Sequence, residues 1–563
     1  MEFSELIKTA NVEDVVLTRP FHPPVKGTLC VTGHHLLLSA RDGESSVELL
    51  LLLRNFDAVE KSVENLVGYP GHLLRKSGQC ERPAGSSGSI TIKCKDLSVL
   101  QLDIPGMEEC LNVASSIEAL SSLESVTEMY PFFYRPTTLS LQNKWGLSTP
   151  EEDFQQIAIH SERWRLSDVN RDFSVCPTYP PTVIVPRAVE DEQLRRAARF
   201  RQGGRFPVLS YYHRKNGKVI VRSSQPLTGA NRRRCREDEL LLQAVMDGSE
   251  RGYVIDTRSP QLAQQARVTG GGFESKSNYC NFKRLHRHLE RGKALQESLI
   301  KLVEACTDQS NSTDRWLSRL ESCRWLSHVS AALVAAGLLA ECVEREGCSA
   351  LVHGSEGTDT TLLVTTVAQL ILDPRCRTFG GFLALIEREW LQAGHPFQQR
   401  CAHSALSHAR PRHEAPTFLL LLDCCWQLCR QFPLALEFSE ALLLRLAREA
   451  YASNFGTFLC NSEKERCALG VKTKTHCLWG WLSQSCERDE LSNPLYQPTE
   501  LAIWPCVKPQ AIQLWRGLFF RWTHNARYLQ EAWEEISHLV KQSKAEGCKA
   551  SMGLETPAAQ VAV

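Results

Sequence analysis

The stretch from Ala350 to Leu372, ALVHGSEGTDTTLLVTTVAQLIL, joins an apolar strand pattern to a glycine-containing turn and an apolar helix. The pattern predicts a buried strand over Cys348 to His353 and a helix over Thr365 to Leu372. Unpaired amides and the helix dipole make such a turn suited to a phosphate-sized anion. A P-loop nucleotide enzyme is disfavoured, because the turn lacks the lysine that reaches the phosphates.

The whole chain has the composition of a folded, multidomain protein without a dominant charge. Its 563 residues predict two to four domains at about 150 residues per domain. There are 65 Lys and Arg residues against 64 Asp and Glu residues, a formal net charge of +1. We therefore expect no nucleic-acid partner, which would require a strongly basic surface.

No apolar stretch predicts a membrane span or a secretion signal. The longest apolar runs are 49–53, 331–339 and 418–422, and a spanning helix needs roughly 18 residues or more. The N-terminal residues lack an apolar core. The 22 cysteines are therefore expected to be reduced thiols in a cytoplasmic protein.

Two groups of potential zinc ligands lie close together in the sequence. They are Cys424, Cys425 and Cys429, and Cys401, His403, His408 and His413. The first contains no CxxC pair, and the second leads to Pro416 and has the pattern of a polar surface loop. We predict neither a metal nor a cofactor.

The first part of the chain has the pattern of a small β domain closed by a helix. Its predicted strands are Asp14 to Leu17, Gly27 to Ser39, Val47 to Leu53, Ser89 to Lys93 and Ser98 to Ile104. Cys110, Val113, Ile117 and Leu120 recur at helical spacing within Met107 to Leu123. Strands followed by one amphipathic helix suggest a barrel of the pleckstrin-homology (PH) type. Residues 62–88, rich in Gly and Ser, are predicted to be a flexible insertion between strands.

A second, larger domain is predicted from Trp164 onward. Strands are predicted at Thr182 to Val185, Pro207 to Tyr212, Lys218 to Arg222 and Gly252 to Asp256. Helices are predicted at Leu295 to Cys306, Arg315 to Leu339, Gly381 to Gln392, Phe418 to Gln431 and Ser439 to Tyr451. This alternation favours an α/β or α+β sheet covered by helices.

Residues 352–361, VHGSEGTDTT, resemble the signature loop of the myotubularin phosphoinositide phosphatases, whose active members read VHCSDGWDRT. Further matching segments lie at Trp164 to Pro180, Gly203 to Tyr211, Arg222 to Leu227, Gly270 to Glu274 and Leu385 to His395. The resemblance implies a PH-GRAM domain at 1–125 and a cysteine-phosphatase-like α/β domain with many helices at 126–522. A short helix and tail follow at 523–563.

Two departures from the active motif imply that the chain is catalytically inactive. Gly354 occupies the position of the cysteine whose thiolate attacks phosphorus. Thr360 occupies the position of the arginine that holds the transferring phosphoryl group by bidentate hydrogen bonds. No route through a phosphocysteine remains.

The other loop residues are predicted to be structural. Ser355, Gly357, Asp359 and Thr361 are expected to shape the turn and cap the helix. Glu356 and Thr358 also depart from the active motif, and without the arginine Glu356 and Asp359 should repel phosphate. His353 is expected to be partly buried and satisfied by neighbouring backbone. The glycines at 270–272 are predicted to form a loop near this site rather than a nucleotide-binding turn.

The resemblance implies a pseudophosphatase that pairs with active myotubularin-related phosphatases, or with itself, and raises their activity or stability. The lipids concerned are phosphatidylinositol 3-phosphate and phosphatidylinositol 3,5-bisphosphate. The alternative is a stand-alone adaptor that binds phosphoinositide membranes and serves in trafficking. Either role predicts peripheral attachment to endomembranes: the endoplasmic reticulum, the perinuclear region or ruffles.

Two surfaces are candidates for these contacts. For the membrane they are Lys26, Arg41 and Lys93 of the N-terminal domain. For the partner they are Leu529, Trp533, Ile536 and Val540, which share one face of a short helix predicted from Asn525 to Lys544, before Gly547. Two heptads are few for a coiled coil, so packing of this stripe on its own domain is the more common arrangement.

Overall fold

The N-terminal part of the structure, a computed structural model, is an antiparallel sheet wrapped against one helix. The structure describes residues 3–42, 45–64, 87–136, 145–246, 248–308, 310, 312–523 and 527–552. The seven strands are β1 Asn11–Thr18, β2 Val25–Val31, β3 His35–Asp42, β4 Ser45–Leu52, β5 Phe56–Glu64, β6 Ser87–Cys94 and β7 Val99–Pro105. They are ordered β4-β3-β2-β1-β7-β6-β5.

The core of this sheet follows from the strict alternation of buried and partly exposed side chains along its strands. Ile90, Ile92 and Cys94 of β6 are buried between partly exposed neighbours, as expected for a strand with one face covered. The covering helix, α1 (Met107–Ser121), buries Cys110, Val113, Ile117 and Leu120, which confirms the predicted helical face.

The sheet corrects four sequence predictions. The segment Gly27 to Ser39 is two strands joined by a turn, in which Thr32 accepts a hydrogen bond from the amide of His35. Strand β5 was not predicted, because its alternating charges hide the apolar positions. In the described residues β4 and β5 remain the two edges of the sheet, so it is not a hydrogen-bonded closed barrel. The predicted insertion shrinks to the β5–β6 connection, and its residues 65–86 lie outside the described residues.

The second part of the chain is built on a five-stranded sheet with the order β10-β11-β14-β12-β13. These strands are β10 Val208–Tyr212, β11 Val219–Arg222, β12 Gly252–Asp256, β13 Phe282–His286 and β14 Ala350–His353. Only the β10–β11 pair is antiparallel. A separate ribbon pairs β8 (Trp164–Ser167) with β9 (Val183–Pro186). The predicted α/β character and the strands at 182–185, 207–212, 218–222 and 252–256 are confirmed within one or two residues.

Helices precede, separate and follow these strands. They are α2 Pro150–Ala158, α3 Asp191–Arg199, α4 Arg236–Met246, α5 Pro260–Ala266, α6 Gly292–Thr307, α7 Thr313–Cys323, α8 Trp325–Glu344, α9 Thr360–Leu372, α10 Phe379–Ile386, α11 Phe397–Arg400, α12 Thr417–Gln431, α13 Glu440–Tyr451, α14 Glu463–Leu469, α15 Val471–Lys474, α16 Leu478–Leu482, α17 Ser485–Leu491, α18 Arg516–Phe519 and α19 Arg527–Met552. A π-helix, Glu387–Gln392, continues α10.

The helical pattern from Arg315 to Leu339 is two helices rather than one. Arg324 lies between α7 and α8 with φ 61°, a left-handed conformation that ends a helix. By length and composition α8 is apolar enough to span a membrane. Trp325, Val329, Leu333 and other residues of α8 are buried in the core against α9 and α12, as in a core helix of a globular domain.

The C-terminal helix is longer than predicted. It was expected to end near Lys544, but α19 has 26 residues and continues through Gly547 to Met552. The apolar repeat stops at Val540, and Ser543 and Gly547 take the next seam positions. The helix is therefore longer than predicted, but its apolar stripe is not.

Candidate functional site

The signature loop lies at the carboxyl edge of the central sheet. In the parallel registers Arg222 pairs with Val352, and Asp256 pairs with both His353 and His286. Residues 354–359 leave the end of β14, and α9 begins at Thr360. Ligands of open α/β sheets bind at this edge, so the loop lies where such a fold places its binding sites.

The turn keeps the shape of an anion cradle. None of the described residues accepts a hydrogen bond from the main-chain amides of Ser355 to Asp359. Gly357 has φ 78°, and a Cβ there would lie 2.4 Å from the carbonyl oxygen of Ser223. Only glycine fits this position. The amide of Gln225 donates to the carbonyl of Ser355 at 3.0 Å, which fixes the opposite side of the turn.

Two hydroxyls fill the space above Gly354. The hydroxyls of Thr257 and Thr360 are 2.7 Å apart, and both residues are buried. A Cβ on Gly354 would lie 2.6 Å from Oγ1 of Thr257 and 3.2 Å from that of Thr360. The positions that the active motif fills with a thiol and a guanidinium therefore hold only a neutral hydroxyl pair, which supplies neither a strong nucleophile nor a positive charge.

Asp359 binds basic side chains instead of capping the helix. Its carboxylate accepts two hydrogen bonds of 2.9 Å from Nε and Nη2 of Arg400 and makes no cap hydrogen bond to α9. The hydroxyl of Thr361 is also buried without a partner in the described residues. The predicted capping role of these two residues is therefore wrong.

The charge on Asp359 is fixed by its surroundings. Burial raises the pKa of Asp359, but Arg400 and His395 lower it more, and the net shift is downward. Burial also lowers the pKa of His395 to about 4. At neutral pH Asp359 is thus a paired carboxylate, which cannot donate a proton as a general acid.

The remaining loop side chains are engaged elsewhere. Glu356 is half-exposed and pairs with Arg291 at 2.8 Å. The hydroxyl of Thr358 donates to Asp359 at 3.2 Å. Gly357 accepts a hydrogen bond of 2.8 Å from Arg205 through its carbonyl. Both acidic residues of the loop are neutralised, so the expected repulsion of phosphate is reduced by Arg291 and Arg400.

Below the loop lies a buried network of ion pairs and hydrogen bonds. His353 is fully buried, with Nδ1 3.1 Å from the carbonyl of Gly354 and Nε2 2.9 Å from Glu274. Arg201 donates to Glu274 at 2.7 Å and to Asp238 at 2.8 and 2.7 Å. The expected backbone contact of His353 is confirmed, but the residue is fully rather than partly buried and a carboxylate satisfies its second nitrogen.

This network keeps Glu274 ionised. Burial raises the pKa of Glu274, yet His353 and Arg201 lower it further, so the net pKa lies far below its ordinary value. Glu274 follows the three glycines at 270–272, and Gly272 donates to Gln225 at 3.1 Å. Because Gln225 also contacts Ser355, the predicted place of this glycine loop beside the site is confirmed.

The membrane candidates of the N-terminal sheet are paired with acids. Lys26 lies 2.7 Å from Asp14 and Lys93 lies 2.5 Å from Glu60. The side chain of Arg41 lies outside the described residues. Lys26 and Lys93 are therefore not free cations in this structure.

The apolar stripe of the C-terminal helix faces solvent. Trp533 and Ile536 are 37% and 38% exposed, and Leu539 is 55% exposed. Val540 is half-buried, and the side chain of Leu529 lies outside the described residues. The expectation that this stripe packs on its own domain is wrong for Trp533 and Ile536.

The potential zinc ligands are dispersed or buried. Within the described residues no three His, Cys, Asp or Glu side chains form a group able to hold a metal. Cys424 and Cys425 are buried in α12, and burial raises the pKa of both thiols well above the ordinary value. His403 contacts Asp57 and His408 contacts Glu60, so this loop joins the helical domain to the sheet.

Sequence reasoning did not identify Thr257, Arg400 or Glu274 as site residues. Thr257 directly follows the predicted strand at 252–256, and residues after parallel strands gather at one edge of a sheet. Thr257 could therefore have been identified from its position after this strand. Arg400 and Glu274 carry no comparable local signal.

Comparison with known proteins agrees with this geometry. Residues 129–467 match the family described as myotubularin-like phosphatase domain. The chain is 57% identical to the bovine myotubularin-related protein 9-like, over 99% of this chain and 100% of that protein. It is 55% identical to human myotubularin-related protein 9, over 97% and 95%. It is 34% identical to the human phosphatidylinositol-3,5-bisphosphate 3-phosphatase MTMR8, over 95% and 74%.

Proposed function

Because the chain belongs to the myotubularin-related family, we propose that it is a pseudophosphatase that acts as a regulatory subunit of active family members. It binds an active phosphatase and raises its activity or stability toward phosphatidylinositol 3-phosphate and phosphatidylinositol 3,5-bisphosphate. The observation that carries this proposal is the Thr257–Thr360 hydroxyl pair over Gly354.

The chemistry of the loop supports an inactive site. A threonine hydroxyl at this place has no adjacent free base, because Asp359 is held by Arg400. Loss of the nucleophile from a cooperative catalytic site costs on the order of a million-fold in rate. Each missing charge-assisted hydrogen bond to phosphate costs about 1.5–3 kcal/mol more.

The intact scaffold supports a role in binding. A partner that binds only the folded active phosphatase stabilises it by about 2.7 kcal/mol when present at 100 times Kd. Trp533 and Ile536 of the stripe, together with the neighbouring Leu539, are exposed and offer apolar area for such a contact. In this proposal α19 binds the partner, which is an active relative or a second copy of this chain.

We assign the N-terminal sheet and α1 to a PH-GRAM domain that attaches the complex peripherally to endomembranes. The proposed locations are the endoplasmic reticulum, the perinuclear region and ruffles, on the cytoplasmic side. The order of seven antiparallel strands followed by a helix supports this assignment.

The test is phosphate release from short-chain forms of both lipids. The full chain is assayed alone, then titrated into a fixed amount of an active relative. We expect no release by the chain alone and a saturable rise in the relative's kcat/KM or in its half-life at 37 °C. Turnover that copurifies with this chain, or no effect on any active relative, would contradict the proposal. Membrane binding without such an effect would instead support the stand-alone adaptor.

A further inference from the structure

A cleft of about 420 Å³ lies between the N-terminal sheet and the helical domain. One wall is formed by 49–52 and 94–98 of the sheet, and the other by 444–454 and 518–522. It contains no residue of the signature loop. Clefts of about 300–1,000 Å³ at domain interfaces are common places for small-molecule sites.

Lys95 lines this cleft, and none of the described residues accepts a hydrogen bond from its ammonium group. The residue as a whole is only 3% exposed. The nearby acid, Asp57, already accepts from the amide of Ser404 at 3.1 Å and its hydroxyl at 2.9 Å. Burial, and then Arg54, lower the pKa of Lys95 well below its ordinary value despite Asp57 and Cys401. A buried cation without a partner is costly, and an anion in the cleft would offset that cost.

The rim of the cleft adds positive charge. Arg19, Arg448 and Arg521 line it and form no ion pair in the described part of the chain. Nε of Arg19 is buried without a partner. Of the lining acids, Glu449 is paired with Arg445 at 2.8 Å and Asp96 accepts from Ser98 at 2.7 Å. The cleft therefore has an excess of cations.

Both walls of the cleft also contain aliphatic side chains. Leucine side chains from both walls border the space: Leu51, Leu97, Leu299, Leu419, Leu444 and Leu518. A small hydrophilic anion would leave these leucine side chains exposed to water, whereas an aliphatic chain would bury them.

We propose that this cleft binds an anionic amphiphile, an aliphatic chain with a carboxylate or phosphate head, whose head pairs with Lys95. The rim arginines add hydrogen bonds to a phosphate head, because guanidinium groups bind phosphate oxygens in pairs. Occupancy would tie the sheet to the helical domain, since both contribute walls.

The test measures binding of dodecanoate and dodecyl phosphate to the full chain by calorimetry, below their micelle concentrations. We expect saturable binding of at least one of them. Lys95→Met should weaken it at least tenfold, whereas Lys26→Met, which removes an exposed lysine of the same sheet, should leave it unchanged. Arg448→Gln with Arg521→Gln should weaken the binding of dodecyl phosphate more than that of dodecanoate. The more tightly bound of the two shows whether the natural ligand carries a phosphate or a carboxylate head.

Three results would overturn the proposal. They are no binding of either anion, equal binding of neutral dodecanol, and unchanged affinity in Lys95→Met. If Lys95→Met does not fold, Leu444→Trp provides the second variant, because its larger side chain fills the cleft. This variant should abolish binding of both anions while the wild-type chain retains it.

Discussion

Gly354 lies beneath a pair of threonine hydroxyls, one of them from a residue outside the signature loop. Oγ1 of Thr257 occupies the place into which a side chain at 354 would project. A cysteine there must displace Thr257 and break its 2.7 Å hydrogen bond to Thr360. Restoring chemistry therefore depends on a residue that the signature motif does not include.

Reactivation at the loop should be incomplete without a change at Thr257. We expect Gly354→Cys with Thr360→Arg to release phosphate from phosphatidylinositol 3-phosphate only weakly, since Glu356 and Thr358 also differ from the active motif. Adding Thr257→Ala should raise kcat at least several-fold, because it frees space for the thiolate. Gly354→Ala with the same two changes is the control without a nucleophile. Equal rates with and without Thr257→Ala would show that the hydroxyl does not obstruct the site.

Glu274 should contribute stability that depends on pH. Removing one partner of a buried ion pair costs about 3–5 kcal/mol, so Glu274→Gln should lower the melting temperature clearly at pH 7. The folded-state pKa of Glu274 is depressed, so its contribution is complete above the unfolded pKa of about 4.3 and declines as pH falls below it. The difference in melting temperature between wild type and Glu274→Gln should therefore become smaller toward pH 3. Glu356→Gln, at a half-exposed position, should show little difference at either pH.

The sequence predicted the local part of the site and missed the part assembled across the chain. The strand, turn and helix around His353 are predicted from adjacent residues. Gly354 and Thr360 were identified from the resemblance of residues 352–361 to the family motif. Thr257 and Thr360 are 103 residues apart, and Asp359 and Arg400 are 41 apart. Helical capping by Asp359 was a reasonable local expectation, but a bidentate arginine competes for the same carboxylate oxygens and prevails.

At the scale of elements, the C-terminal helix leaves Trp533 and Ile536 of its apolar stripe 37% and 38% exposed. The expected length was wrong because Gly547 was taken as a stop, although glycine inside a helix costs only about 1 kcal/mol. Similarly, Arg324 carried no sign of the left-handed conformation that divides α7 from α8. Strand β5 escaped detection because its polar face alternates with few strongly apolar residues.

Substitutions in that stripe should separate partner binding from folding. We expect Ile536→Asp with Val540→Asp to abolish co-precipitation of an active relative and to leave the thermal melt unchanged, since Ile536 is 38% exposed. His538→Asp with Gln542→Asp places the same charges on the opposite face and should retain binding. A melt lowered by several degrees in the first variant would place the stripe in the domain core.

For the molecule as a whole, Asp57 joins the N-terminal sheet to the helical domain. Its buried carboxylate accepts from the amide and hydroxyl of Ser404 and lies 3.1 Å from His403. Hydrogen bonds to charged groups contribute about 1.5–3 kcal/mol each. We expect Asp57→Asn to speed amide hydrogen exchange at 401–407 and in the strand β5 next to it.

The control for this interface is Glu118→Gln, which removes an exposed ion pair with Lys61. Exposed pairs contribute about 0–1 kcal/mol, so exchange at 401–407 should not change. If Asp57→Asn likewise has no effect there, the two domains are held by their apolar contacts and the carboxylate is dispensable.

The buried series Asp238, Arg201 and Glu274 constrains which substitutions the chain can tolerate. A neutral replacement of Arg201 would leave two buried carboxylates without their cation, at a cost of about 3–5 kcal/mol against a total stability of roughly 5–15 kcal/mol. Under the proposed loss of catalysis, selection for folding alone would still remove such a replacement. Glycine at 354 and threonine at 360 leave no buried charge without a partner, so folding places no comparable constraint on those two positions. In evolutionary terms, the reactive positions of the loop are free to change while the ion pairs beneath them are retained.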